Sequence, residues 1–514
     1  MHPEHALMGC VAGTLLLILA PVHAAGQEGG EGSTSIPPVI GEPPPFSRMP
    51  PVAEEPLIIQ DYLDAISLDT IGLIGPESSP LPTELWHRSR TEDLAALFAR
   101  QTAALPASLL EILYLLLLTE TSRPGIGAGD GRLLAARLDS LLTLGAVDQA
   151  QALFGIIGPN RPAFYSRWRD LALLDGDVLE VCNRLLVRSS LSSALVDHIY
   201  CNHATGNTGQ AQNLMAVARS MESLSSDEEM ILNLLFAPAE THAPGAQAGP
   251  IVLTDDSNVI LIRILFDHTH NSGLIPDTVK LAPLRIAADL PAPLRFHAAL
   301  MLVRSQAISY EPVLTIARDA QWELEGPAAE AVRLLLAFDR AIMLDETGRS
   351  AALLDRLFPY LVETGLLHAF ADYYAEELGF IRVASSLAQQ VILALGGTAG
   401  ECNCGPLGGD ERYLADLIRL TGGIPTDWSD LPQGHLMQSL LAGLAGIIAT
   451  PGLQDLVEAD RHGEALLTIL TPFNDPETIS GAHLQDAIAL LVNYNDAERA
   501  RSLAIEWVVT EVLP

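Results

Sequence analysis

Lysine is almost missing from this chain: Lys280 is the one lysine in 514 residues. Cationic groups as a whole are scarce, with 29 Lys and Arg against 63 Asp and Glu, for a formal charge of −34 at pH 7. Phosphate backbones are polyanions, so without a dense basic patch nucleic acid and anionic membrane surfaces are excluded as partners. The densest arginine run, Arg161 with Arg167 and Arg169, falls inside a helical pattern and forms no such patch. The acidic surface reads first as solubility, and beyond that suits a basic protein or a divalent cation.

Aromatic residues are also few, at 5%. Leucine and alanine dominate instead, and unbranched side chains of this kind lose little rotamer freedom in a helix. The motifs of common hydrolases and metal enzymes are absent: there is no H-E-x-x-H, no G-x-S-x-G and no calcium-loop spacing. The glycine-dense run from Gly125 to Gly131 follows a helix rather than a strand and lacks the Lys-Ser/Thr of a phosphate loop, so it reads as a connection. Asp267-His268-Thr269-His270 offers two imidazoles, but an H-x-H at a helix end reads as exposed histidines, and Thr254-Asp255-Asp256 as a solvated loop. The sequence thus predicts no catalytic residue, no cofactor and no metal.

Long apolar runs are missing except near the start. Residues 6–20 form an apolar stretch short of the roughly 20 residues a span needs. It leads through Pro21 to Val22-His23-Ala24, a small-x-small cleavage pattern. A signal peptide over 1–24 is expected, although Met1-His2-Pro3-Glu4-His5 carries no Lys or Arg. Leu7-Met8-Gly9-Cys10 is not a lipobox, because the apolar stretch follows the cysteine. Residues 25–58 form a Pro/Gly-rich leader, with Pro37, Pro38, Pro43, Pro44, Pro45, Pro50, Pro51 and Pro56, expected to be disordered or extended. Residues 436–448 are apolar but interrupted by Gln438 and Ser439, and predict a buried helix with Gly443 and Gly446 allowing close approach.

What recurs is a turn. Gly145 precedes Ala150, Gly176 precedes Val181 and Gly206 precedes Ala211, with glycine spacings of 31 and 30 residues. Each glycine ends a helix in the left-handed conformation, and the residue five places later opens the packed face of the next helix. Between the turns, Leu134, Leu138, Leu141 and Leu142 share one helical face, as do Phe164, Trp168 and Leu171. A period near 30 built from two short helices is the mark of an α-solenoid of antiparallel helix pairs. The repeat domain is expected over 59–240. A linker follows at 241–257, and a second, less regular helical half at 258–514. There the turns are expected at Gly348 before Ala352, at Gly463 before Leu467, and at Asn495-Asp496 before Ala500.

The turn at Gly145 and its two copies resemble tetratricopeptide-type repeats in degenerate form, with a period a few residues short of that family's roughly 34. Leu81-Pro82-Thr83-Glu84-Leu85-Trp86, leading into the helical array, resembles uncharacterised exported helical-repeat proteins of alphaproteobacteria, over residues 60 to 240 closely and the remainder loosely. The resemblance implies fold and compartment, and no catalytic residue or substrate.

Of the five cysteines, removal of the signal leaves Cys182, Cys201, Cys402 and Cys404. Cys182 and Cys201 sit on successive antiparallel helices turning near Ser189, a geometry a disulfide can bridge. Cys402-Asn403-Cys404, in a glycine-rich loop, reads foremost as a loop-stiffening disulfide, with metal binding and redox chemistry as alternatives. The functional expectation is a periplasmic or secreted scaffold or adaptor, without a membrane span once the signal is cleaved, that binds a protein or peptide of the cell envelope. The alternative is a cell-wall-acting enzyme with a superhelical body. Helix-pair patterning up to Val508-Val509 leaves little room for the compact catalytic domain of soluble lytic transglycosylases.

Overall fold

Leucine and alanine at helical spacing organise the chain into helices throughout the computed structural model, which describes residues 67–127, 131–237, 253–254, 257–269, 276–287, 290–378, 386–396, 435–475 and 478–512. Among the described residues there is no strand, only isolated bridges pairing Ile74 with Thr119 and Arg90 with Ile126. The chain is all-α, as its composition predicts. The signal segment 1–24, the leader 25–58, most of the linker 241–257 and the loop carrying Cys402 and Cys404 lie outside the described residues.

The helices of the first half are α1 (Thr91–Phe98), α2 (Ala107–Leu118), α3 (Arg132–Thr143), α4 (Val147–Ile157), α5 (Pro162–Asp175), α6 (Val178–Val187), α7 (Leu195–Ala204), α8 (Thr208–Ser220) and α9 (Ser226–Leu234). There follow α10 (Val259–Thr269), α11 (Ala282–Ala287), α12 (Ala292–Arg304), α13 (Glu311–Ala320), α14 (Gly326–Met343), α15 (Thr347–Thr364), α16 (Leu367–Tyr373), α17 (Ala375–Leu378) and α18 (Leu387–Leu395). The described residues end with α19 (His435–Leu444), α20 (Pro451–Glu458), α21 (His462–Leu470), α22 (Gly481–Asn493) and α23 (Ala497–Val512). None of them is long and apolar enough to cross a membrane.

From α3 to α8 each helix packs on the next, as repeats of antiparallel pairs require. A stack in which pairs touch only their neighbours does not describe the rest. Helices α10 and α11 return onto α5, α1 and α2 pack on α21, and α2 also meets α23. Residues Tyr62–Pro514 gather into one compact unit, so helices from both sides of the expected linker share a core. Gly145 marks one join between them: a side-chain carbon there would run into Leu302 and the Val279 carbonyl. Ser305, at the end of α12, marks another, donating its hydroxyl to the Leu144 carbonyl at 2.8 Å and accepting Tyr114 Oη on its own carbonyl at 3.0 Å.

The helix ends follow one rule. At Gly145, Gly176 and Gly206 the backbone is left-handed, with φ of 70°, 98° and 83°. In each case the amide of the next residue bonds the carbonyl five places back: Ala146 to Leu141, Asp177 to Ala172 and Asn207 to Asn202, at 2.8–2.9 Å. These are Schellman turns, and they satisfy carbonyls the helix end would orphan. The residue five beyond each glycine, Ala150, Val181 or Ala211, is fully buried.

The second half keeps this rule but not the expected residues. Gly348 and Gly463 lie inside the first turns of α15 and α21. The left-handed positions fall three residues earlier, at Asp345 and Asp460, with φ of 56° at each. Glu346 bonds Ala341 and Arg461 bonds Leu456 in the Schellman pattern, both at 2.9 Å. The buried residues five beyond are accordingly Ser350 and Ala465, while Ala352 is exposed. Asn495 is left-handed as expected, with Ala500 buried five places on. Gln306 also adopts φ 58°, and its side chain donates to the Ala107 carbonyl at 3.0 Å.

Candidate functional site

Three helices far apart in sequence carry charged groups to one point in this core. Helix α2 reads ASLLEILYLLLL, in which Glu111 is the one charged residue. A carboxylate on so apolar a helix is costly to bury unless cations and donors meet it. On α16, His368 and Asp372 stand four apart and so share a face; on α23, Arg499 and Glu506 stand seven apart and do the same.

His368, 8% exposed, is the centre. Its Nε2 lies 2.8 Å from Glu111 Oε1 and 3.4 Å from Asp372 Oδ2. Its Nδ1 lies 2.9 Å from Glu506 Oε1, within ion-pair reach though off the straight line of a hydrogen bond. Arg499 Nε donates to Glu111 Oε2 at 2.6 Å and its Nη1 to Asp496 Oδ2 at 2.6 Å. Ser108 Oγ donates to Glu506 Oε1 at 2.8 Å.

Burial opposes the charged imidazole, but Glu111, Glu506 and Asp372 outweigh it and raise the His368 pKa to about 11. Burial likewise opposes the Glu111 anion, yet His368 and Arg499 hold its carboxyl below the ordinary range. Asp372 is moved up, by burial and by the neighbouring Glu111, Glu506 and Glu498, against the pull of His368. Glu111, His368 and Asp372 offer donor atoms within 4.8 Å of one another, close enough to share a metal ion.

Beside this cluster a cavity of about 300 Å³ is walled by His368, Glu506, Arg304, Phe473, Trp507 and Val509. A second cavity, of about 220 Å³, lies among α12, α14 and α15 and is almost wholly apolar, lined by Phe296, Leu300, Tyr310, Val332, Leu335 and Leu357. Pro327, Ala328 and Glu363 stand exposed at its rim. The scarce aromatics gather behind it. Tyr310 meets Phe370 edge-on at 5.9 Å between centroids, Phe338 meets Tyr374 at 5.0 Å, and Tyr374 Oη donates to Asp339 Oδ1 at 3.0 Å.

The features singled out in the sequence fall elsewhere. Cys182 and Cys201, both fully buried on α6 and α7, have their sulfurs at disulfide distance with Cα atoms 4.6 Å apart. Cys402 and Cys404 lie outside the described residues. The arginine run is taken up within the fold: Arg167 grips Asp139 through two bonds of 2.6 and 2.7 Å, Arg169 is buried between Asp170 and Asp197, and Arg161 donates to the Ile157 carbonyl. His268 Nδ1 lies 2.9 Å from the Ile264 carbonyl of its own helix, and His270 is outside the described residues. None of Glu111, His368, Asp372, Arg499 and Glu506 stands out in the sequence. The one signal that could have drawn attention to them is the lone acid in the leucine run of α2.

Compared with protein-family models, with curated proteins and with solved structures, the chain matches none.

Proposed function

We propose that this protein is an exported helical scaffold or adaptor, with tetratricopeptide-like helix pairs in its first half, that holds a protein or peptide partner in the apolar groove between α12, α14 and α15. The groove itself carries the reading. At about 220 Å³ it falls below the size of ordinary small-molecule pockets, about 300–1,000 Å³. Its size and apolar lining suit one bulky side chain, the way an anchor residue seats in a partner's pocket. The apolar run before Ala24 and the paired Cys182 and Cys201 support a periplasmic or secreted location.

An enzyme acting on cell-wall material would need a carboxyl kept protonated near neutral pH beside its cavity. Glu111 is held the opposite way, below its ordinary range, by His368 and Arg499.

Photocrosslinking tests the reading. A photoreactive residue at Ala331 or Tyr360, both lining the groove, should capture one envelope polypeptide, while the same probe at exposed Glu458 on α20 should not. Ala331→Trp, which fills the groove, should abolish the Tyr360 adduct without lowering the melting temperature. A protein that stays free of adducts, or that is captured equally from Glu458, overturns the proposal.

A further inference from the structure

The cluster around His368 holds more negative charge than its own cations balance. Four carboxylates, Glu111, Asp372, Glu506 and Asp496, face the two cations His368 and Arg499. Arg499 is shared between Glu111 and Asp496, which leaves the imidazole as the cation in ion-pair reach of Asp372 and Glu506 among the described residues. Asp372 stands at the surface side, but Glu111, Glu506 and Asp496 are largely withdrawn from water, and an anionic excess held there is costly unless a cation joins it.

The spacing of the donor atoms says which cation fits. A tetrahedral ion with arms of about 2.0–2.2 Å to nitrogen and oxygen sets neighbouring donors about 3.4 Å apart. His368 Nε2 and Asp372 Oδ2 are 3.4 Å apart and Nε2 and Glu111 Oε1 are 2.8 Å apart, so a shift of about half an ångström by Glu111 brings both distances from the imidazole to the tetrahedral value, with all three donors within 4.8 Å of one another. The surroundings also supply what a metal ligand needs once the imidazole gives up its proton. The far nitrogen of His368 faces Glu506 at 2.9 Å, so a small turn of the ring gives the Nδ1–H bond to a carboxylate that orients ligating histidines. Glu111 and Glu506 are in turn held by Arg499 and Ser108.

We propose that Glu111, His368 and Asp372 bind one first-row divalent cation such as Zn²⁺, the ion displacing to solvent the Nε2 proton that His368 otherwise shares with Glu111, with Glu506 on the Nδ1 side of the imidazole. One imidazole nitrogen and two carboxylate oxygens form a donor set for borderline ions, and three protein ligands leave a fourth position for water. The site draws on α2 and α16, so a bound ion ties residue 111 to residue 368 across the core.

Chelator-treated full-length protein titrated with Zn²⁺ by calorimetry should take up one ion per chain, and Co²⁺ should give the visible absorption of a nitrogen–oxygen tetrahedral site. Asp372→Asn, at a half-exposed side chain on the surface side of the cluster, should fold normally and weaken Zn²⁺ binding at least 10-fold. Glu506→Gln should weaken it about 10- to 100-fold, the usual effect of removing the partner of a ligating histidine. Cys402→Ser with Cys404→Ser should bind as the parent does. Absence of stoichiometric uptake overturns the assignment. So does uptake undiminished in the folded Asp372→Asn variant, or uptake lost with the two cysteines.

Discussion

The indole of Trp86 lies against Gly463, so close that any side-chain carbon at position 463 would run into its ring. The Gly463 amide donates to the Leu85 carbonyl at 3.2 Å, and Trp86, fully buried, packs edge-on against Phe98 at 5.9 Å. The opening Leu-Trp segment is thereby fastened to the start of α21, some 380 residues away in sequence. Gly463→Ala should therefore cost about 1–3 kcal/mol, as overpacking of a filled core does. Gly348→Ala, in the same place of α15 but with nothing within 4 Å, should be neutral or stabilise by up to about 1 kcal/mol. Equilibrium denaturation of the two variants separates the cases; equal effects would refute the close packing.

The left-handed helix ends lead to a second prediction. Asp345 and Asp460 hold φ of 56°, where a residue with a β-carbon is strained by about 1–2 kcal/mol. Asp345→Gly should relieve part of that and raise stability by about 0.5–1 kcal/mol, since among the described residues no side-chain hydrogen bond or ion pair of Asp345 opposes the gain. Gly176→Ala should do the reverse: φ is 98°, and open space around the site leaves backbone strain as the whole cost. Denaturant midpoints of both variants, taken with unchanged m-values, check the pair of signs.

These ends also mark what was legible in the sequence. The turns at Gly145, Gly176 and Gly206 can be read because glycine reveals the left-handed residue directly. In the second half Asp345, Asp460 and Gln306 share that role with Gly365 and Gly446, so the eye settles on Gly348 and Gly463, three residues late. Gly463 is a glycine for the sake of Trp86, a contact no local pattern encodes. The His368 cluster was hidden for the same reason. Glu111, His368 and Glu506 each belong to an ordinary helical sequence, and their chemistry exists only where α2, α16 and α23 meet. Helical periodicity specifies which face of a helix is buried, whereas the partner of that face is set by long-range closure.

The pairing of Cys182 with Cys201 gives a third prediction. The bond joins α6 to α7 across a loop of 19 residues and lies wholly within the core. Replacing both cysteines with serine should cost about 2–4 kcal/mol, through the freedom returned to the unfolded chain and the polar hydroxyls left in an apolar site. Reduction with a thiol should lower the melting temperature of the parent and leave the double variant unchanged. Mass mapping of the non-reduced protein should find the two cysteines in one linked peptide pair; two free thiols would refute the bond.

Alkaline pH should unfold the protein by way of its tyrosines. Burial pushes the Tyr200 hydroxyl up to about 12, with Asp267 adding to the shift and Arg263 opposing it. Burial likewise drives Tyr114, whose hydroxyl donates to the Ser305 carbonyl, well above its ordinary value. In the unfolded chain both ionise near pH 10. The folded pKa is raised, so the stability these groups contribute is fully present below pH 10. It falls as the unfolded state sheds protons the folded state retains, and for Tyr200 the loss is complete near pH 12. Stability followed by denaturant titration should stay level with respect to these groups up to about pH 9.5 and then drop, with tyrosinate absorbance rising together with loss of helical circular dichroism. Tyr200→Phe removes the ionisable group and should flatten the drop between pH 10 and 12. An unchanged slope in that variant would show that Tyr200 ionises freely in the folded state, contrary to its burial.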